Sequence, residues 1–200
     1  MNEVSEAREE PQVSNRAGLH MGVAMRGKMY AVEGNHSRAL QYYRIAIRIA
    51  VEAKDPEIFF RHYLDCVMES LELTGAFDDV LAYCDRAIAL YADKPPPNVV
   101  AQMDLAAIHQ RRGVILLKKN DSKAARADLK SAIDIARNSG KPLTLAPTLL
   151  RWVDAGFALD AQRIVAEQKR CKYFNVRREQ IDAANAIELS DADLMAISRI

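Results

Sequence analysis

The distribution of apolar residues along the chain predicts helices from about Leu19 onward. Apolar side chains recur there every three or four residues, as they do on one face of an α-helix, and runs of alternating β-branched residues are missing. We therefore expect an all-α protein. Residues 1–15 carry four glutamates, one proline and few apolar groups, so they bury too little surface to offset the entropy of ordering. They are predicted to form a flexible tail.

Residues that end one helix and begin the next divide this region at regular intervals. Gly34 predicts the end of a first helix, and Ser37 is a candidate N-cap for a second helix that runs to about Lys54. The tripeptide 55–57, Asp-Pro-Glu, combines a capping carboxylate with a proline at the first helical position, so it predicts a third start. Later breaks lie at residues 74–78, 94–97, 120–122 and 138–142, and weaker helices follow around Gly156.

The chain is also similar to itself at fixed shifts. Residues 38–49 align with residues 79–90 at a shift of 41, and a further shift of 45 continues the pattern from Ala87 to Ala132. The first and third helix pairs share an Arg-Gly dipeptide, at 26–27 and at 112–113. Self-similarity with a period of 20 to 50 residues is typical of solenoid proteins.

Small and large residues at fixed positions in these pairs resemble the signature of the tetratricopeptide repeat, in a variant with long helices. The positions are Gly27, Tyr30, Ala39, Tyr43 and Ala46 in the first pair and Gly113, Leu116, Ala125, Leu129 and Ala132 in the third. Such a pattern lets two helices approach closely and fills the space beside them. The resemblance implies a right-handed α-solenoid of about four helix-turn-helix repeats over residues 16–175.

The resemblance also implies a binding surface, because in this family the first helix of each repeat lines a concave face. The residues mapped to that face are Met21, Met25, Lys28, His62, Asp65, Glu69, Gln110 and Arg111. Flexible methionines suit a surface that adapts to a peptide, although methionines at helical spacing are also typical of a core. By this resemblance the chain is expected to be a non-enzymatic scaffold or adaptor that holds a segment of another protein.

The C-terminal residues 176–200 are predicted to form two further helices. One runs from Val176 to Leu189, and Ser190 caps a short final helix that carries Leu194, Ile197 and Ile200. A solenoid needs its last apolar face covered, so a cap is one interpretation. The other interpretation is a docking segment for a partner or for a second copy of the chain.

The distribution of charge along the chain suggests an alternative binding surface. The formal net charge of +1 gives no overall attraction to nucleic acid or to an anionic membrane. Residues 55–93, however, hold nine acidic and two basic side chains, whereas residues 94–140 hold nine basic and four acidic ones. Neighbouring repeats of opposite charge suit an assembly factor that docks on a larger complex, or self-association, and they equally suit plain solubility.

A short basic stretch offers a third alternative. Its cationic residues are Lys169, Arg170, Lys172, Arg177 and Arg178, and Tyr173 lies among them. This composition suits nucleic-acid phosphates, but useful affinity requires more such contacts, and basic side chains are ordinary at the end of a helix. The stretch therefore favours nucleic acid less than it favours a protein partner.

Neither catalytic nor metal chemistry is indicated. His62 and Cys66 lie one helical turn apart, with Cys84 as a third candidate ligand, but no second ligand set accompanies them. No nucleophile elbow, phosphate-binding loop or zinc-protease motif occurs. We expect no catalytic residue, cofactor or metal. Because no apolar run is long enough to cross a bilayer and the N-terminus is acidic, we expect a cytoplasmic protein.

Overall fold

The computed structural model describes residues 18–190 together with Ala192 and Leu194. The predicted tail, residues 1–15, lies outside this part of the chain. The α-helices are α1 Leu19–Val32, α2 His36–Glu52, α3 Glu57–Leu73, α4 Phe77–Asp93, α5 Val99–Lys118, α6 Ser122–Asn138, α7 Leu145–Asp154 and α8 Ala161–Arg170. No strand occurs among the described residues. The prediction of an all-α protein is confirmed.

The chain divides into two compact units. The first contains the described residues up to Val67 and those from Val176 onward, and the second is Met68–Asn175. The boundary therefore falls inside α3, and the C-terminal residues belong with the N-terminal helices rather than standing apart. Helices adjacent in sequence pack together, α1 with α2 in the first unit and α4 through α8 in succession in the second. None of the described helices is both long and apolar enough to cross a membrane.

The first unit is built on a close contact between α1 and α2. A Cβ atom added to Gly27 would lie 2.7 Å from the Tyr43 ring and 3.1 Å from Cβ of Tyr42, so only glycine fits there without movement. Ala39, Tyr42 and Tyr43 are fully buried in this contact. Tyr63 from the first part of α3 completes the core. The predicted use of Gly27 and Ala39 for close helix packing is confirmed.

Local sequence explains where these helices start and stop. Gly34 has φ +83°, a left-handed conformation that glycine adopts without strain, and it ends α1. The side chain of Asn35 then accepts a hydrogen bond from the amide of Arg38 at 3.1 Å and caps α2. The expected N-cap at Ser37 is wrong by two residues, because Asn35 supplies an equally good acceptor nearer the turn.

The second unit repeats the close packing of a helix pair. Gly113 of α5 faces Leu129 of α6, and an added Cβ would lie 3.0 Å from Cγ of that leucine. The core between α5, α6, α7 and α8 contains Val114, Leu129, Leu149 and Ile164, all fully buried. A second cluster joins α4 to α5. Asn98, Asp121 and Asp160 are the N-caps of α5, α6 and α8. Each of their side chains accepts a hydrogen bond from a backbone amide in the first turn of its helix.

The predicted helix from Val176 to Leu189 is wrong. This segment forms only two short 3₁₀ turns, Arg178–Gln180 and Ala183–Asn185, with extended backbone at Arg177, Ile181 and Ala186. Asp182 accepts hydrogen bonds from the amide of Ala184 and the side chain of Asn185, and such local bonds compete with helix formation. The backbone amides of Ile187 and Leu189 donate to Gly22 of α1 and to Tyr42 of α2 instead of to the segment itself.

Candidate protein-binding site

Helix α1 presents a row of side chains along one face. Met25, Arg26 and Tyr30 follow Gly22 by three, four and eight residues, so they lie on the same side of the helix as Gly22 over two turns. Tyr42 of α2 lies beside this row, because the close approach at Gly27 brings the two helices together, and its ring centroid is 5.3 Å from that of Tyr30. We call these five residues the α1–α2 face.

The α1–α2 face binds the carboxylate of Glu188. The hydroxyls of Tyr30 and Tyr42 both donate to Oε1 of Glu188, at 2.9 and 2.5 Å. Arg26 donates from Nε to the other oxygen, and its guanidinium lies 4.6 Å from the centre of the Tyr30 ring. Three donors therefore converge on one anion, and hydrogen bonds to an ionised acceptor are about twice as strong as neutral ones.

The proton equilibria of this cluster favour the charged carboxylate. Partial burial alone would raise the pKa of Glu188, but the hydrogen bonds from Tyr42, Tyr30 and Arg26 outweigh it, so the pKa lies below its ordinary value. Burial, together with the hydrogen bond to Glu188, raises the pKa of Tyr42 to about 12. At neutral pH the carboxylate is ionised and the phenol keeps the proton that it donates.

Main-chain contacts hold the residues on either side of Glu188. The amide of Ile187 donates to the carbonyl oxygen of Gly22 at 3.0 Å, and the amide of Leu189 donates to the Tyr42 hydroxyl at 3.0 Å. A Cβ on Gly22 would lie 2.5 Å from Cδ1 of Ile187, so the segment approaches this closely only because position 22 is glycine. The α1–α2 face thus recognises an extended backbone as well as a carboxylate.

The C-terminal segment, residues 176–190, is only partly buried. None of its residues is buried, and the Glu188 side chain remains 47% exposed although three donors hold it. Met25 accepts one further bond, from the amide of Asp182 to Sδ at 3.4 Å. Beyond the segment, Leu194 is buried against the core of the first unit. Leu189 packs against the same core, whereas Ile187 is 36% exposed. Limited apolar burial is a feature of a segment that opens locally.

Five of the predicted groove residues lie in the first unit. Met21 is 49% exposed, and Met25 contacts the C-terminal segment as described. Lys28, His62 and Asp65 are half-buried. Burial and the nearby charge of Lys28 lower the pKa of His62, while Asp65 acts in the opposite direction. The structure therefore places these residues of α1 and α3 close enough to interact electrostatically.

The other three predicted groove residues belong to the second unit and are buried there. The side chain of Glu69 accepts from the amide of Asn175 at 2.7 Å, and Gln110 accepts from the amide of Ala146 at 3.0 Å in the first turn of α7. Arg111 is only 8% exposed. The expectation that Glu69, Gln110 and Arg111 are solvent-facing is wrong, because tertiary contacts enclose these polar groups.

The second unit contains a buried cluster around Glu72, which the sequence interpretation missed. One carboxylate oxygen of Glu72 accepts hydrogen bonds from Nζ of Lys118 at 2.7 Å and from Nε2 of Gln168 at 2.6 Å. The Tyr173 hydroxyl donates to the other oxygen at 3.1 Å. Burial, reinforced by the charge of Glu72, raises the pKa of Tyr173 well above its ordinary value. The cluster ties α3, α5, α8 and the chain after α8 together.

The opposite charges of neighbouring repeats pair with one another inside the second unit. Arg112 lies 3.0 Å from Asp85, and Lys119 lies 2.5 Å from Asp78, so α5 neutralises acids of α4. The ion pair between Lys118 and Glu72 likewise joins a basic residue of α5 to an acidic residue. These contacts account for part of the charge asymmetry without a partner and leave less of it for docking.

The basic stretch is divided between the two units. Lys169, Arg170 and Lys172 belong to the second unit, whereas Arg177 and Arg178 belong to the first. Arg170 forms a two-point contact with Glu167, at 2.8 and 2.5 Å. The Tyr173 hydroxyl donates to Glu72, and its ring packs against the core of the second unit. Of the apolar residues of the predicted final helix, Leu194 is buried, and Ile197 and Ile200 lie outside the described residues.

One buried chain of polar residues in the first unit has the composition of a proton relay. Nδ1 of His20 lies 2.6 Å from the Tyr63 hydroxyl, and its Nε2 lies 3.2 Å from Asp55. His20 is 2% exposed and Tyr63 3%, so neither reaches a substrate, and burial raises the pKa of Tyr63 to about 12. Among the described residues no group of three His, Cys, Asp or Glu side chains is placed to hold a metal ion.

Of the α1–α2 face, the sequence analysis identified Met25 as a groove residue and Tyr30 as a packing residue, and it missed Gly22 and Tyr42. Arg26 and Tyr30 are four residues apart on a helix, which is a signal that both meet the same ligand, but nothing local points to Glu188. Comparisons with family models, curated proteins and solved structures found no match. The geometry of the chain itself is therefore the basis for a function.

Proposed function

We propose that the protein is a non-enzymatic helical-repeat adaptor that binds an extended segment of a partner protein in its first unit. One observation carries this proposal: the α1–α2 face holds an extended stretch of polypeptide through convergent side-chain donors and main-chain hydrogen bonds. Such contacts are those by which proteins recognise peptides, with backbone bonds contributing affinity and side chains contributing specificity.

Two further features support a surface in the first unit. Met21 is a flexible, half-exposed thioether on the helix that bears Arg26, and such side chains adapt to varied partners. Lys28, on the same helix, adds a positive charge near His62. An acidic, partly apolar partner segment suits these groups better than nucleic acid does, since the basic stretch is divided between the units and Arg170 is already paired.

Affinity capture with the full chain tests the proposal. Proteins retained from a lysate of the source cells are identified by mass spectrometry, with and without nuclease, using wild type, Lys28→Glu and the matched control Lys123→Glu, an exposed charge reversal on α6. We expect at least one protein to be lost about tenfold or more with Lys28→Glu only, as interface charge reversals typically change affinity.

Two outcomes would contradict the proposal. Retention that nuclease abolishes would assign the chain to the nucleic-acid alternative. Retention that both charge reversals leave unchanged would remove Lys28 from the binding surface and favour the assembly-factor alternative, in which the charged repeats of the second unit dock.

A further inference from the structure

The contacts of the C-terminal segment define what the α1–α2 face accepts. Ile187 and Leu189 supply main-chain donors at 3.0 Å to Gly22 and Tyr42, and the residue between them supplies a carboxylate to three donors. The side chain of Ile187 packs over Gly22, and that of Leu189 packs against the core of the first unit, so an aliphatic residue on each side of the acid contacts the protein. The recognised pattern is aliphatic, glutamate, aliphatic.

The segment that now occupies the face is poorly buried. The side chain of Glu188 is 47% exposed, Ile187 is 36% exposed, and none of the residues from 176 to 190 is fully buried, although Leu189 packs against the core of the first unit. A partner segment that repeats the same hydrogen bonds and buries more apolar surface, for example against the exposed Met21, gains stability that the intramolecular segment lacks.

We propose that the α1–α2 face is a binding site for partner segments of the form aliphatic-Glu-aliphatic in extended conformation, and that the chain's own residues 187–189 occupy it as an intramolecular competitor. This inference rests on the proposed function and specifies its partner. Recognition depends on Arg26, Tyr30 and Tyr42 for the carboxylate and on the missing side chain of Gly22 for the backbone.

A labelled peptide tests the inference directly. The probe is a fluorescein-labelled synthetic peptide with the sequence of residues 181–194, and its binding to the full-length chain is followed by fluorescence anisotropy. Glu188→Gln weakens the intramolecular competitor and leaves every receptor group in place. The matched control Glu179→Gln removes an acid from the same segment, one whose described ion pair is a 3.8 Å contact with Arg177.

We expect Glu188→Gln to bind the labelled peptide about tenfold more tightly than wild type, because the competing segment is released. The control Glu179→Gln should bind like wild type. A second peptide, in which glutamine replaces the glutamate corresponding to position 188, should bind Glu188→Gln about 10 to 100-fold more weakly, which is the usual effect of losing hydrogen bonds to a charged acceptor. Gly22→Ala added to Glu188→Gln should also weaken binding, since its Cβ would overlap Ile187 of the bound peptide.

Several results would overturn the inference. Equal affinity of wild type and Glu188→Gln for the peptide, or equal affinity of the glutamate and glutamine peptides, would each do so. A wild-type dimer in sedimentation experiments that excess peptide dissociates would assign the face to a second copy of the chain.

The two proposals fail separately. If cellular capture depends on Lys28 while the peptide results are negative, the adaptor function stands and the recognised chemistry is different. If the peptide binds as expected while no cellular protein depends on the first unit, the recognition chemistry stands and the adaptor function falls.

Discussion

Glu72 in the second unit and Glu188 in the first are each bound by one cation and two neutral donors. Lys118, Gln168 and Tyr173 hold Glu72, whose side chain is fully buried. Arg26, Tyr30 and Tyr42 hold Glu188, which is 47% exposed. The same kind of donor set therefore serves a permanent link in one unit and an exposed, exchangeable contact in the other.

Burial makes the difference between the two carboxylates. A buried ion pair contributes little net stability when intact, because desolvation offsets attraction, but removing one partner strands a charge in a medium of low polarity. An exposed carboxylate that loses its donors is rehydrated at small cost. We expect the same substitution to have very different effects at the two positions.

The largest effect is expected for Glu72→Gln. Loss of the carboxylate leaves Lys118, which is 4% exposed, without its counter-charge, and we expect a loss of about 3–5 kcal/mol in the free energy of unfolding of the second unit. Urea denaturation followed by hydrogen exchange of α5 and α8 measures it. Adding Lys118→Met should restore at least half of the loss. A change below about 1 kcal/mol would contradict the assigned burial of this pair.

An intermediate effect is expected at the two packing glycines, one in each unit. In Gly27→Ala the new Cβ meets the rigid Tyr43 ring at 2.7 Å, and such overpacking costs about 1–3 kcal/mol. Alanine gains about 1 kcal/mol over glycine in helix propensity, so the overpacking outweighs this gain. Gly113→Ala meets the flexible Leu129 side chain at 3.0 Å, and the two terms nearly cancel. Hydrogen exchange of α2 and α6 should show the ranking, and the reverse ranking would exclude this packing account.

A smaller effect is expected for Glu188→Gln. The half-exposed contact should change the free energy of unfolding of the first unit by about 1.4 kcal/mol, the equivalent of the tenfold effect expected for peptide binding. The amides of Ile187 and Leu189, by contrast, should lose most of their protection from hydrogen exchange, because the Glu188 contact between them attaches the segment to α1 and α2. Protection that survives the substitution would show that the carboxylate is not what attaches the segment.

The smallest expected effect is the pH dependence of this contact. Because the pKa of Glu188 is lowered by folding, its contribution is complete above the ordinary glutamate value of 4.5 and is lost as the pH falls through the lower folded value. An NMR titration of the Glu188 side chain should therefore give a midpoint below 4.5, and Tyr42→Phe should move it upward. A midpoint at or above 4.5 in the wild type would rule out donation from the three receptor groups.

The sequence predicted well those parts of the structure that short-range physics determines. The helices and most of their ends follow from apolar spacing and from local caps such as Asn98 and Asp121, which act within one turn. The glycine contact at Gly27 was also predictable, since it follows from a repeated spacing. A tetratricopeptide repeat assignment, with its handedness and number of repeats, stays a prediction.

The candidate site was not predictable in the same way. Arg111 and Gln110 fall at positions expected to face solvent, and only contacts with distant residues bury them. The segment 176–189 has the composition of a helix, yet the main-chain groups of Ile187 and Leu189 bond to α1 and α2. Contacts between residues so far apart in the chain leave no periodic signal in a single sequence.

The position of Glu188 near the end of the chain also determines when its contact can form during synthesis. Tyr42 and Glu188 are separated by 146 residues, all of which must be translated before the carboxylate can reach the α1–α2 face. At about 5–20 residues per second, this takes roughly 7–30 seconds. Throughout that interval the growing chain lacks the segment that occupies the α1–α2 face in the complete fold.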